Sequence, residues 1–174
     1  MKRPPGRTQH PRRGPQHSLG EPSVKLIMAE PLLGALPKVL KAEITKRHEG
    51  IVYLLGTTDG LVTVALSASH PKAITTRGSF EVHSTELAKV VRAAADRHLQ
   101  VVGQIHTHPR LAFHSAGDVA GARIRYPGYV SIVVPDYGVR LPRLDGSVFY
   151  MCDPERGFCV IGSDQVQIVP VIVA

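Results

Sequence analysis

The feature that most constrains the fold is a polar cluster placed directly after an apolar run of strand length. The run LQVVGQIHTHP, residues 99–109, ends in two histidines at alternate positions, His106 and His108, and then in Pro109. Alternate residues of a β-strand point to one face of the sheet, so both imidazoles should project to the same side. Because Pro109 lacks a backbone N–H, strand pairing should end there, which puts the pair at the rim of a sheet.

A short helix predicted over residues 115–126 brings a carboxylate to the same place. It begins with Ser115 and has Asp118 three positions later. From the first turn of that helix, Asp118 can reach back to the strand end. Two histidines and one carboxylate form the three-ligand set of a catalytic zinc site that keeps one position open. The metal ligands predicted from this pattern are His106, His108 and Asp118.

The same residues also have a purely structural interpretation. Ser115 and Asp118 are close to the capping box, Ser/Thr-x-x-Glu/Gln, that begins many helices. Histidines before prolines are also frequent in loops, and the neighbouring His114 is expected to face solvent. Residues 103–118 alone support the two interpretations equally. Both can hold at once, because Ser115 can cap the helix and still face a metal site.

Apolar periodicity elsewhere predicts strands that alternate with helices early in the chain and crowd together late. The clearest helix begins near Ser84, with Ser84 or Thr85 as its N-cap and an apolar stripe along one side. That stripe consists of Leu87, Val90, Val91 and Ala94. We also expect a strand over 24–30, a helix from about Pro37 to Arg47, a two-stranded hairpin over 50–70 that turns near 58–60, a loop over 71–80, and strands within 129–138, 148–153, 157–162 and 166–174.

The positive charge is concentrated in an N-terminal arm. The net charge is +7, and residues 1–20 supply five positive charges and no acid, so the remaining chain is close to balanced. Residues 1–23 are rich in Pro, Arg and Gly, which predicts a disordered arm before a single domain over 24–174. Nucleic-acid binding through the arm is a further hypothesis, but the nearly neutral domain does not favour it.

The remaining patterns exclude several classes of protein. No apolar stretch approaches the ~20 residues that a membrane-spanning helix needs, and no apolar core follows the N-terminal charges as in a secretory signal. The two cysteines, Cys152 and Cys159, do not make a disulfide framework. We therefore expect a cytoplasmic protein without membrane contact, and we assign no role to the cysteines.

The spaced motif resembles a known signature. HTHP at residues 106–109, followed by Ser115-x-x-Asp118, is similar to the JAMM signature of the bacterial JAB/MPN domain zinc metalloproteases. The loop between His108 and Ser115 has six residues, one fewer than the commonest family spacing. A subset of bacterial members shares this shorter loop and a similar AFHS run. The likeness covers roughly residues 30–150.

The resemblance implies an α/β fold of the JAB/MPN (cytidine-deaminase-like) type, with a mixed, curved sheet. A long helix would flank the sheet on each side, and a short one would lie near the metal. The family's general base stands seven residues before a glycine that ends the first strand, which here is Glu49 counted back from Gly56. Val52 stands where many relatives have glycine.

The implied activity is zinc-dependent hydrolysis of an amide or isopeptide bond. A single zinc ion with a bound water would be held by the His106, His108 and Asp118 set, Glu49 would act as the base, and Ser115 would stabilise the carbonyl oxygen. The implied substrate is a ubiquitin-like protein or its conjugate. Its extended tail would pair with a strand edge near residues 70–83 or 138–150.

Two settings and a different class of protein follow from the same resemblance. One setting is a bacterial ubiquitin-like conjugation system, including antiviral ones, with conjugation enzymes of the same operon as partners. The other setting is processing of a sulfur-carrier precursor. The different class is a metal-free MPN scaffold that only binds proteins, although scaffold members typically lose the ligand residues that this chain retains.

Overall fold

A mixed sheet of eight strands organises the chain in the computed structural model, which describes residues 23–171 apart from the side chain of Ala120. Nearly all of the predicted arm, residues 1–23, lies outside the described residues. The strands are β1 (Leu26–Ala29), β2 (Ile51–Thr58), β3 (Thr63–Ser69), β4 (Ile74–Thr75), β5 (Phe80–Glu81), β6 (Gln100–Thr107), β7 (Val130–Val134), β8 (Val148–Asp153), β9 (Gly157–Ile161) and β10 (Val166–Val169).

The order across the large sheet is β10-β1-β3-β2-β6-β7-β8-β9, while β4 and β5 form a separate small hairpin. Strand β1 is parallel to β10 and β3, and β6 is parallel to β7. The other pairs are antiparallel. The central strands β2, β6 and β7 are buried along most of their length. Their sequences are nearly continuous apolar runs because both faces of the sheet are covered.

Helices cover both faces, as the predicted fold class requires. They are α1 (Glu30–Val39), α2 (Lys41–Lys46), α3 (Ser84–Ala95) and α4 (Ala116–Gly121). On one face, Leu32 and Leu36 of α1 belong to a core cluster with Val52 and Leu54 of β2. On the other face, Val90 and Ala94 of α3 pack in a second cluster with Ile51, Tyr53 and Leu55, the alternate residues of β2.

Strand β2 bends where it passes its neighbours. Its register shifts between Leu54 and Leu55 against β6, and between Leu55 and Gly56 against β3. A β-carbon on Gly56 would overlap the backbone carbonyl oxygen of Val64, so glycine is required at this irregularity. The hairpin predicted over 50–70 with a turn near 58–60 is confirmed, because β2 continues past Gly56 to Thr58 and the antiparallel β3 begins at Thr63.

The helix predicted from Pro37 to Arg47 is also wrong in its bounds. Helix α1 begins earlier, at Glu30, with Pro31 in its first turn, where a missing N–H costs no hydrogen bond. Pro37 lies inside α1, and the helical stretch is interrupted at Leu40 before α2 begins at Lys41. The long helix expected on this face is therefore two shorter helices.

Two local expectations for residues 71–95 need correction. Helix α3 begins at Ser84 as predicted, but its N-cap is His83, whose described side chain makes no capping hydrogen bond. Val91 of the predicted apolar stripe is 47% exposed, because it lies beyond the edge of the buried face. Residues 71–80, expected as loop, contain β4 and lead into β5. The pairing of β4 with β5 was not predicted, because a strand of two residues is too short to show an alternating sequence pattern.

No helix within residues 23–171 is long and apolar enough to cross a membrane. Cys152 and Cys159 lie on adjacent strands, where Met151 rather than Cys152 is the direct partner of Cys159. The two thiols therefore point to opposite faces of the sheet, and both are free.

Candidate metal centre

The two predicted histidines stand at the end of β6. The ring of His106 is fully buried, and His108 follows one residue after the last strand residue, Thr107. The backbone of His108 remains fixed beyond the strand, because its N–H donates to Val134 O at 2.9 Å and its carbonyl oxygen accepts from Tyr137 N–H at 2.7 Å. Both imidazoles thus project from hydrogen-bonded backbone at the end of a strand that is central in the strand order.

Glu49 stands beside His108 because the β2–β6 pairing continues for one more residue. Thr107 N–H donates to Gly50 O at 3.0 Å, and Gly50 N–H donates to Thr107 Oγ1 at 2.8 Å. The N–H of Glu49 itself donates to Thr76 O at 2.8 Å in the β4–β5 hairpin. Glu49 is only 5% exposed, so a carboxyl group is held close to the histidines with little contact with water.

Asp118 is held by the first turn of α4. Its backbone N–H donates to Ser115 Oγ at 3.1 Å, while its Oδ2 accepts from Ser115 N–H at 2.7 Å and from Ser115 Oγ at 2.6 Å. This reciprocal arrangement is a capping box with aspartate in place of glutamate. The structural interpretation of these two residues is therefore confirmed.

The capping carboxylate also faces both histidines. Asp118 Oδ1 lies 3.4 Å from His106 Nε2, and Asp118 Oδ2 lies 3.2 Å from His108 Nε2. The three residues each offer one ligand atom, and these atoms all lie within 4.8 Å of one another. The group is close enough to bind a metal ion, and the shorter loop after His108 does not prevent Asp118 from reaching it.

The unpaired nitrogens of His106 favour a cation at this point. Neither ring nitrogen of this buried histidine has a hydrogen-bond partner among the described residues, because the 3.4 Å approach of Asp118 lacks hydrogen-bond geometry. A buried polar atom without a partner costs about 1–3 kcal/mol. A metal on Nε2 would satisfy one nitrogen, and two imidazoles with a carboxylate suit zinc.

Burial and the neighbouring charges shift the pKa of each ionisable group in the cluster. Burial raises the pKa of Glu49 to about 7. Burial also lowers the pKa of His106, and the Asp118 carboxylate offsets this only in part. Burial acts to raise the pKa of Asp118, but the adjacent imidazoles of His106 and His108 outweigh it and hold that pKa well below its usual range. Burial lowers the pKa of His108, yet Asp118 and Glu49 raise it above its ordinary value.

The cluster opens into a pocket of about 490 Å³ between two walls. One wall is the β4–β5 hairpin with the residues after it, and the other is the segment from Pro109 through α4 to Ile124. Residues 78–82 of the first predicted substrate segment line the pocket, whereas none of residues 138–150, all of them described, does so. The lining includes Glu49, Tyr53, Phe80, Val82, Gln104, His108, Arg110, Leu111, Phe113, Ser115, Asp118, Arg123 and Ile124.

The expectation that His114 faces solvent is wrong. Its ring is half-buried and stacks on Tyr150 at 3.8 Å and 7°. The His106 ring lies 6.0 Å away at an angle of 19°. Burial, with a further contribution from His106, lowers the pKa of His114 to about 4. Tyr150 follows His114 by 36 positions, which is why local sequence patterns did not reveal the contact.

Aromatic residues near the ligands were also missed from the sequence. The Phe80 ring lies 5.4 Å from the His106 ring, and the Phe113 ring meets His108 edge-on at 5.3 Å. Phe113 is 52% exposed, and Leu111 in the same loop is 76% exposed. Two exposed apolar residues just after His-x-His-Pro were the one available signal, because such residues in a loop suggest a binding surface.

Fold and site together define an α/β domain that carries a candidate metal centre at the end of a central strand. The chain matches the family model described as prokaryotic homologs of the JAB domain over residues 37–144, and it belongs to that family. The bacterial JAB/MPN prediction is thereby confirmed. Membership fits either a peptidase or isopeptidase, or an MPN scaffold.

Solved structures support the same fold. A solution structure of a protein from Desulfitobacterium hafniense aligns with a TM-score of 0.60 at 13% identity, and the match covers 84% of this chain and 92% of that one. A solution structure of a protein from Salinibacter ruber aligns with a TM-score of 0.53 at 22% identity, covering 78% and 88%. At these identities the likeness concerns the fold alone.

Proposed function

We propose that this protein is a zinc-dependent peptidase or isopeptidase that cleaves the bond after the C-terminal tail of a ubiquitin-like protein. The observation that carries the proposal is the convergence of three side chains on one point. The ligand atoms of His106, His108 and Asp118 lie within 4.8 Å of one another. Glu49 opens into the same pocket as His108 and Asp118. A scaffold would not need this combination.

Each side chain has a definite task in such a reaction. His106, His108 and Asp118 would hold one zinc ion, which when bound supplies Lewis acidity that activates water near pH 7 and polarises the carbonyl group. Glu49 accepts the proton of the attacking water and delivers it to the departing amine. Ser115 turns its hydroxyl from Asp118 to the carbonyl oxygen, while its backbone N–H keeps hold of the carboxylate.

The shape of the pocket supports an extended substrate. Residues 78–82 of the hairpin form one wall and include β5. A tail added along this strand would be bound by backbone hydrogen bonds and by pockets for alternate side chains. Phe80 and Phe113 offer apolar surface close to the ligand histidines. The tail would therefore end with its scissile bond next to Glu49.

We favour removal of a ubiquitin-like modifier in a bacterial conjugation system, including antiviral ones, as the setting. Conjugation enzymes of the same operon would then be partners. The alternative is processing of a sulfur-carrier precursor to expose its C-terminal tail. Genes for conjugation enzymes beside this one would support the first setting, and genes for cofactor or cysteine synthesis would support the second.

A direct test compares the zinc-loaded protein with its Glu49→Gln variant. The substrates are ubiquitin-like proteins encoded near the gene, each joined through its C-terminus either to a linear peptide or to a lysine side chain. We expect the parent to release the modifier, the variant to be inactive with zinc bound, and chelator to abolish cleavage. Equal cleavage by parent and variant would overturn the role of Glu49.

The scaffold alternative has one observation in its favour. The 3.2 Å contact between Asp118 and His108 forms an ion pair when the histidine is protonated, so the carboxylate has a partner without any metal. If this interpretation is correct, the purified protein will retain no zinc after resupply. In that case it will also cleave none of the fusions, while still binding a partner protein.

A further inference from the structure

His114 is tied to strands β8 and β9 by three contacts, two of them with Tyr150. Its ring stacks on Tyr150 of β8 at 3.8 Å and meets the edge of Phe158 of β9 at 5.0 Å and 88°. Its backbone N–H donates to Tyr150 Oη at 3.1 Å. The loop after His108 is thus fixed to strands that lie more than thirty residues later in the sequence.

The ring of His114 also completes a row of buried polar groups beneath the pocket. His114 Nε2 and Ser131 Oγ share a hydrogen bond of 2.9 Å. Gln104 Nε2 donates to Ser131 Oγ at 3.4 Å, and Tyr129 Oη donates to Gln104 Oε1 at 3.3 Å. Ser131 and Tyr129 are almost completely buried. Buried polar groups of this kind need partners, and His114 supplies one for Ser131.

Helix α4 itself has few buried side chains among its described residues. It has six residues, two of them glycine, and isolated helices of this length are not stable. Val119 is 41% exposed, and Ala116 and Gly117 are exposed as well. The place of Asp118 therefore depends on where α4 begins, at Ser115, and Ser115 directly follows His114.

We infer that His114 is a positioning residue for the metal centre. Held by Tyr150 and Ser131, it fixes the start of α4 and so sets the Asp118 carboxylate against His106 and His108. Its ring also lies 6.0 Å from the His106 ring, at an interplanar angle of 19°. This inference rests on the proposed function, because it requires that the three residues bind a metal ion.

The test measures metal binding rather than turnover. His114→Ala removes the stack and the side-chain hydrogen bond, and Tyr150→Phe removes the acceptor for the backbone N–H but keeps a ring for stacking. His83→Ala is the matched control, because His83 is an exposed histidine whose side chain makes no capping bond. Zinc Kd is measured by competition with a chromophoric chelator, and Co²⁺ is added separately for its visible spectrum.

We expect His114→Ala to raise the zinc Kd by about 10- to 100-fold, the usual effect of losing a group that orients a ligand. Its Co²⁺ spectrum should change, because the carboxylate is no longer held in one position. Tyr150→Phe should show a smaller rise in Kd, and His83→Ala should match the parent. The conservative His114→Phe, which keeps the stack, should recover part of the lost affinity.

The result that overturns the inference is a variant that loses thermal stability but keeps the Kd and Co²⁺ spectrum of the parent. His114 would then be only a packing residue. If His114→Ala does not fold, parent-like metal binding by both His114→Phe and Tyr150→Phe overturns it equally. A parent that binds no zinc, with or without resupply, overturns the proposed function first and this inference with it.

Discussion

The two halves of the candidate centre are built in different ways. His106, His108 and Glu49 come from the paired ends of β6 and β2, where backbone hydrogen bonds on both sides fix them. Ser115 and Asp118 come from a short loop and a helix of six residues. The strand half is rigid because of the sheet, whereas the loop half depends on a few side-chain contacts. We therefore expect single substitutions to displace the loop half more easily than the strand half.

Sequence reasoning reached the two histidines of the strand half directly, whereas Glu49 was named only through the family resemblance. The alternation of His106 and His108 at the end of an apolar run leaves one choice of face, and the structure has both rings on that side. Asp118 was reached as well, because the first turn of a helix that begins at Ser115 carries its carboxylate back toward the strand end. Both predictions depend on residues that are at most four positions apart, a range in which local geometry is nearly determined.

The parts that sequence reasoning missed depend on distant contacts. His114 was expected in solvent because its partner Tyr150 comes much later in the chain. The β4–β5 hairpin was expected as loop, although it forms a wall of the pocket. Two residues from elsewhere in the chain hold it: the Tyr137 hydroxyl donates to Arg77 O at 3.0 Å, and Glu49 N–H donates to Thr76 O at 2.8 Å. No local pattern contains such information, so only the folded chain reveals it.

The largest effect on activity should come from replacing the Glu49 carboxyl group in the strand half. Glu49→Gln keeps the size of the side chain but cannot accept a proton. We expect kcat to fall by about 10²- to 10⁴-fold, while zinc content stays at the parent level. Steady-state kinetics on a zinc-loaded fusion substrate, with metal analysis of the same samples, checks this. Glu155→Gln, at an exposed position in the turn between β8 and β9 that does not line the pocket, is the matched control and should retain most activity.

The same substitution should stabilise the chelator-treated protein in a pH-dependent manner. Burial raises the pKa of Glu49 from 4.5 to about 7. Below pH 4.5 the carboxyl group is protonated in both folded and unfolded chains, so it has no effect on stability. Between pH 4.5 and 7 the unfolded chain ionises first, and the folded state loses stability until the loss is complete above pH 7.

Glu49→Gln removes this loss. The Tm of the variant should therefore exceed that of the parent above pH 7, and the two values should converge near pH 4. Thermal unfolding in chelator, followed by circular dichroism across this range, gives the comparison. A difference in Tm that does not change with pH would contradict the burial of an ionisable group at this position.

A smaller effect, on the free energy of unfolding, should distinguish the capped start of α4 in the loop half from the start of α3, which has no side-chain cap. Ser115→Ala removes the cap of α4 and should cost about 1 kcal/mol in the free energy of unfolding, together with a weaker zinc affinity. Ser84→Ala at the start of α3 is the matched control, because the cap there is His83 without a side-chain bond. Denaturant unfolding should show little change for Ser84→Ala. Equal losses in the two variants would mean that the capping box does not hold α4.

The most direct test of the metal centre is the zinc content of protein purified without added metal. The parent is compared with Asp118→Ala and with Asp96→Ala, which removes an exposed carboxylate at the end of α3. The convergence of the three ligands predicts about one zinc per chain in the parent and in Asp96→Ala, and little in Asp118→Ala. Absence of zinc from the parent, even after resupply, would contradict the centre and leave a capped helix beside two buried histidines.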